Sequence, residues 1–274
     1  MKLIKQLFDF YIDASVHVAF AVLALLEATF ILLNIPSGIH LDFFVFFGTI
    51  SAYNFVKYGV EAEKYILVAT RYHKNIQIFS ILALFLAAYH VFYLSKEALI
   101  FLGVMVFLTG LYAIPILPHT KNLRNLGGLK IFIVALVWAG TTVLLPVYEI
   151  NRAISWDIVI ETIQRFVLVL ILLVPFEIRD LAYDSPELKT MPQRFGVSTT
   201  RIIGSIGTVV FFALTFLKDD LKPLEIIGKG VLFLLLGFTM LLTTKKQHSY
   251  FSSFWVEAIP IFWWGILLVI AWFF

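Results

Sequence analysis

Nine stretches of predominantly apolar residues divide the chain, at about 14–34, 41–59, 75–95, 97–117, 128–149, 157–177, 201–218, 225–244 and 253–274. Each is close to the ~20 residues that a helix needs to cross the hydrocarbon core of a bilayer. Backbone in lipid must satisfy its own hydrogen bonds, so each stretch predicts an α-helix. Residues 1–12 follow another pattern. Leu3, Ile4, Leu7, Phe8 and Tyr11 recur at helical spacing, with Lys2, Lys5 and Asp9 between them. This predicts a short amphipathic helix lying in the membrane interface. Most connections are short, but the second (about 60–74) and sixth (about 178–200) are long and polar. Function concentrates on such loops when a rigid scaffold holds them.

Composition agrees. Of 274 residues, 61% are hydrophobic and 14% charged, where soluble domains average about 45–50% and about 25%. A soluble globular domain, a disordered chain and a coiled coil are excluded. The expected class is an all-α integral membrane protein of nine transmembrane helices, with residues 1–274 forming one polytopic domain. Residues 1–15 do not read as a cleavable leader, because Asp9 and Asp13 stand where such a segment is basic. The net charge of +3 is too small to point to nucleic acid, and the absence of cysteine removes thiol chemistry and thiolate metal sites. With nine spans, fifteen Lys and Arg residues fall on the side of the N-terminus and five on the other, with Arg165 inside a span. The positive-inside rule then predicts a cytoplasmic N-terminus, an outside C-terminus and cytoplasmic polar loops, in the inner (cell) membrane.

The sharpest chemical signal is Phe176-Glu177-Ile178-Arg179-Asp180-Leu181-Ala182-Tyr183-Asp184, emerging from the sixth apolar stretch. Asp180 and Asp184 are four residues apart and share a helix face. Two acids that close repel unless a cation lies between them. Mg²⁺ takes oxygen ligands and is commonly held by one or two carboxylates together with substrate phosphates. The pair therefore reads either as an Mg²⁺–diphosphate site or as solvated acids at a helix end. Residues 189–196, Lys-Thr-Met-Pro-Gln-Arg-Phe-Gly, add Lys189 and Arg194 as cations within reach of a phosphate.

Nine helices, Asp-x-x-x-Asp after the sixth and then Lys-Thr-x-Pro-x-x-Phe-Gly resemble the UbiA superfamily of intramembrane prenyltransferases. Asp180, Asp184, Lys189, Thr190, Pro192 and Gly196 carry the resemblance. It implies a lipid-open cavity in which two Asp-rich motifs hold Mg²⁺ and a prenyl diphosphate. The donor ionises toward an allylic cation, which a lipophilic, often aromatic, acceptor attacks. In the fourth loop, Tyr112, Pro115, Lys121 and Arg124 follow the family's order with a longer Tyr-to-Lys spacing. They read equally as a helix stop followed by positive-inside residues.

The first motif departs from the family. Where the family reads Asn-Asp-x-x-Asp-x-x-x-Asp, this chain keeps Asn54 but has Phe55, Tyr58 and Ala62 at the Asp positions. Glu61, two α-helical turns from Asn54, is a candidate replacement metal ligand. Lys57, one turn on, is a candidate fixed cation for the diphosphate. The alternative is that Lys57 and Glu61 pair with each other. One electrostatic donor to developing charge is typically worth ~10²–10³ in rate, so diphosphate binding and catalysis are separate expectations.

Other ionisable residues in the apolar stretches should face the bundle interior. Glu161 and Arg165, four apart, are expected to pair. His17, His90, Glu27 and Glu257 are expected to be structural, with His17 and Glu257 also placed to line a cavity. Trp255, Trp263, Trp264 and Trp272 are expected at interfaces or facing lipid. Two functions fit the whole: a prenyltransferase, or a non-catalytic UbiA-like protein that binds lipid or a membrane-protein partner. A small transporter is disfavoured by the odd span count and the absence of helices broken at mid-membrane.

Overall fold

The computed structural model describes residues 2–60, 70–113 and 128–273. Among them every regular element is helical. The chain begins with α1 (Lys2–Asp13), followed by α2 (Val16–Leu33), α3 (Ile39–Asn54), α4 (Arg71–Val91) and α5 (Lys96–Ala113). Then come α6 (Leu129–Ala139), α7 (Leu145–Glu149), α8 (Trp156–Asp180), α9 (Met191–Leu214), α10 (Pro223–Leu242) and α11 (Ile259–Phe273). Eight helical segments of the described residues are long and apolar enough to cross a membrane. The helix at the fourth predicted stretch, α5, runs up to residues outside the description.

Three of the spans contain a π-helical turn: Phe55–Val60 prolongs α3, Gly140–Leu144 joins α6 to α7, and Phe251–Val256 leads into α11. Such turns insert an extra residue into the helical ladder and are frequent at functional sites. The break between α1 and α2 falls at Ser15, whose φ of 59° lies in the left-handed region. Asn54 holds this corner: Ser15 Oγ donates to Asn54 Oδ1 at 2.7 Å, and Asn54 Nδ2 donates to the Ala14 carbonyl at 2.9 Å and to Ser80 Oγ at 2.8 Å. Asn34, also left-handed, closes α2 by donating its N–H to the Phe30 carbonyl.

The bundle is built around α2 and α8, whose most apolar stretches are 72% and 61% buried, against 17% for α4. One core cluster packs α2 and α8 against α9, α10 and α11, and a second packs α2 against α3, α5, α7 and α8. The outer face of α4 exposes Ile78, Ile81, Leu82, Leu84, Phe85 and Tyr89. In water this would be an adhesive patch, whereas in lipid it is an ordinary surface.

Glu161 and Arg165 pair as expected, at 3.4 Å, but within a larger network. Glu161 Oε2 also accepts from Lys218 at 2.8 Å and from Lys229 at 2.7 Å, and both lysines pair with Glu225. Arg165 reaches across to the Leu25 carbonyl, Thr29 and Thr142, tying α2, the α6–α7 turn and α8 together. Lys218 and Lys229, which read from the sequence as loop cations, are buried. Trp263 corrects another expectation. It is 1% exposed, donates to the Gly228 carbonyl at 3.0 Å and packs over Arg165, because the network needs a large polarisable neighbour more than lipid needs an anchor. Trp255 and Trp272 are exposed, as expected.

Candidate functional site

The sixth loop is shorter than its polarity suggested. Helix α8 runs to Asp180, and α9 already starts at Met191. Pro192 sits in the first turn of α9, and Gln193 Oε1 accepts from the Thr190 N–H at 2.9 Å. Three residues after Gln193, Gly196, at φ 79°, bends the chain into the long part of α9. A side chain there would be strained, which accounts for the glycine.

Asp180 and Asp184 keep helical register across the turn, since the Asp184 N–H donates to the Asp180 carbonyl at 2.8 Å. Each acid has its own cation. Arg179 donates Nε to Asp180 Oδ1 at 2.7 Å and Nη2 to Oδ2 at 3.2 Å. Lys130, at the start of α6, lies 3.3 Å from Asp184 Oδ2 and 2.8 Å from Glu177 Oε1. Glu177 is three residues before Asp180, on the same face of α8. It is 4% exposed, and its Oε2 has no hydrogen-bond partner among the described residues.

Lys130, Glu177 and Asp180 edge a cavity of about 200 Å³. Lys130, Glu177, Asp180 and Glu257 supply its charge, and Val134, Val169, Leu172, Val256 and Pro260 much of its apolar wall. Trp138 closes part of it and donates to Tyr53 Oη at 2.8 Å. Glu257 arrives on the π-helical turn before α11. That turn is tied to α8 through Gln247, which accepts from Ser252 Oγ at 2.6 Å and donates to the Pro175 carbonyl at 2.9 Å. His17, the other residue placed to line a cavity, has both ring nitrogens in use: Tyr11 Oη lies 2.8 Å from Nδ1, and the Phe254 carbonyl lies 2.9 Å from Nε2.

The stretch that replaces the first motif is tied to α1. Past Asn54 the helix continues as a π-turn, so α-helical spacing from Asn54 no longer applies. Lys57 Nζ lies 3.4 Å from Asp13 Oδ1, Tyr58 Oη donates to the Asp13 carbonyl at 2.9 Å, and Tyr72 Oη donates to Asp13 Oδ2 at 2.9 Å. Phe55 is exposed. Tyr250 donates to Asp9 Oδ1 at 2.6 Å, so both ends of the acidic face of α1 are tethered to the bundle. Asn54 spends its amide in the α1–α2 corner. Lys189 and Arg194 are exposed and are not part of the cavity wall. Glu61, Lys121, Arg124 and Pro115 lie outside the described residues, as does the side chain of Tyr112.

Sequence reasoning missed Lys130 and Glu177 as site residues. Lys130 read as one more positive-inside residue. Glu177 lay in plain view three residues before Asp180, and helical spacing alone was sufficient to put it on that face.

No protein-family model and no curated protein sequence matches this chain. Solved structures do. A UbiA homologue from Aeropyrum pernix K1 superposes with a TM-score of 0.67 at 11% identity, covering 94% of this chain and 98% of that one. A UbiA homologue from Archaeoglobus fulgidus, bound to DMAPP and Mg²⁺, gives 0.62 at 11% identity over 95% and 98%. Digeranylgeranylglyceryl phosphate synthase gives 0.57 at 17% identity over 97% of both chains. The fold is the UbiA fold. Shared over nearly the full length at such low identity, the UbiA architecture is set by the helix pattern and core packing rather than by a common sequence.

Proposed function

We propose that this chain is a UbiA-like membrane prenyltransferase, moving an isoprenyl group from a prenyl diphosphate to a lipophilic acceptor. One observation carries the reading: in a UbiA fold, Lys130, Glu177 and Asp180 line one end of a largely apolar cavity, and Lys130 also holds Asp184. Acids and cations at the rim suit a metal–diphosphate headgroup. Apolar walls suit a hydrocarbon tail and keep water from a reactive carbocation.

The residues present fit Mg²⁺. The donor set is all oxygen, and one of its buried carboxylate oxygens lacks a partner. Among the described residues no three acidic or histidine side chains converge as a full ligand set, and Mg²⁺ characteristically takes one or two carboxylates and completes its shell with water and phosphate. Asp180 and Asp184 would hold it, with Glu61 as a further ligand. When bound, Mg²⁺ neutralises the diphosphate and stabilises the charge that develops on it as the allylic C–O bond breaks. Lys57, Lys121, Arg124, Lys189 and Arg194 serve as the diphosphate's cations. Asn54, a diphosphate-binding candidate by sequence, is read as a positioning residue, since its amide holds the α1–α2 corner beside Asp13, which Lys57 contacts. Val134, Val169, Leu172 and Trp138 take the prenyl chain.

In the membrane this reading has nine spans, α5 being the fourth. Helix α1 lies in the cytoplasmic interface, the C-terminus is outside and the motif loops are cytoplasmic. A second reading, a non-catalytic subunit bound to lipid or a membrane-protein partner, is favoured by one observation. Tyr58, at a position where the family has a metal-binding acid, is committed to Asp13 together with its neighbour Lys57.

The test is turnover. Purified protein in nanodiscs is incubated with labelled geranyl diphosphate, Mg²⁺ and a lipid extract. Labelled lipophilic product with release of diphosphate, lost in Asp184→Ala at unchanged Tm, is the expected result. No product from any extract, with the protein retaining a membrane partner on purification, favours the second reading.

A further inference from the structure

Glu177 belongs to neither Asp-rich motif, yet it is a buried carboxylate of the cavity wall with one oxygen unpartnered among the described residues. A buried polar atom without a hydrogen bond is uncommon and costs stability, so each one calls for a physical reason. Its other oxygen is held by Lys130, whose ammonium also touches Asp184. A single positive charge thus sits between two carboxylates seven residues apart, while the third acid, Asp180, is neutralised separately by Arg179. Positions 55, 58 and 62 hold Phe, Tyr and Ala, so the acids that the family's first motif places there are missing.

We propose that Glu177 is a cation ligand of this cavity, making up for the acids missing from the first motif, and that Lys130 competes with the divalent ion for the Glu177 and Asp184 carboxylates. The inference rests on the diphosphate-binding reading above. The ion displaces Lys130 from the acid pair. Lys130 thereby stabilises the metal-free protein by screening two close acids, and it sets the threshold at which the metal enters. A purely structural Glu177–Lys130 ion pair makes the opposite prediction for Lys130: removing it would damage the site rather than sharpen it.

The experiment measures Mn²⁺ binding by electron paramagnetic resonance, on the full-length protein in detergent with inorganic pyrophosphate present. Glu177→Gln keeps the size of the side chain and its hydrogen bond to Lys130, and it is expected to weaken Mn²⁺ at least tenfold with little change in Tm. Lys130→Met is expected to tighten Mn²⁺ severalfold. Glu177→Gln binding Mn²⁺ like the wild type overturns the proposal and leaves the prenyltransferase reading standing. So does Lys130→Met binding Mn²⁺ equally or more weakly at a wild-type Tm. A wild-type protein that binds no Mn²⁺ with pyrophosphate overturns both. If Glu177→Gln fails to fold, Lys130→Met decides alone.

Discussion

The residues that matter most here are polar groups whose partners are already chosen. Asn54 illustrates the difference between retention and role. It stands where the family keeps an asparagine, but both ends of its amide are used at the α1–α2 corner. Asn54→Ala strands the Ser15 hydroxyl and the Ala14 carbonyl in a buried place. The expected cost is about 1–3 kcal/mol, read as a lowered denaturation midpoint in detergent. A ligand-only role for Asn54 would leave that midpoint unchanged. The sequence made Asp180 and Asp184 legible because spacing on a helix is a local property. It did not reveal Lys130 as the partner of Asp184, 54 residues away, because that juxtaposition is made by the packing of α6 on α8.

At the scale of elements, the α8–α10 contact is held by a charge network rather than by apolar packing alone. Glu161, Glu225, Lys218 and Lys229 are nearly inaccessible, and each depends on the others. Breaking a buried pair by removing one partner typically costs 3–5 kcal/mol, whereas replacing the whole set by well-packed apolar residues is often neutral or better. Lys229→Ala is therefore expected to destabilise the protein by about that amount. A Glu225→Leu, Lys229→Met double replacement is expected to recover part of it. Equal losses in the two, measured by unfolding in detergent, would mean that the network is incidental. Apolar periodicity placed the eight segments of the described residues that are long and apolar enough to cross a membrane, since element type follows from length in lipid. The π-helical turns were invisible to it: an inserted residue changes which side chains face inward without changing hydropathy. That is why Lys57 and Tyr58 meet Asp13 rather than a cavity.

For the whole molecule, the claim is a lipid-embedded helical bundle with a polar rim at one end. Its sidedness can be tested directly because the chain has no cysteine. Tyr183, 87% exposed beside the acid pair, and Asp220, with a side chain 74% exposed after α9, lie in loops predicted to face opposite sides. In inside-out vesicles, a membrane-impermeant maleimide should label Tyr183→Cys and spare Asp220→Cys, with the reverse in right-side-out cells. Labelling of both from one side would refute the span count. Function rests on the rim, and there the decisive measurement is binding of geranyl diphosphate to the purified protein, titrated with and without Mg²⁺, for the wild type and Asp184→Ala. Binding that requires Mg²⁺ and falls at least tenfold in Asp184→Ala is the predicted result. Binding that is absent, or indifferent to both the metal and Asp184, would contradict the assignment of this cavity as a metal–diphosphate site.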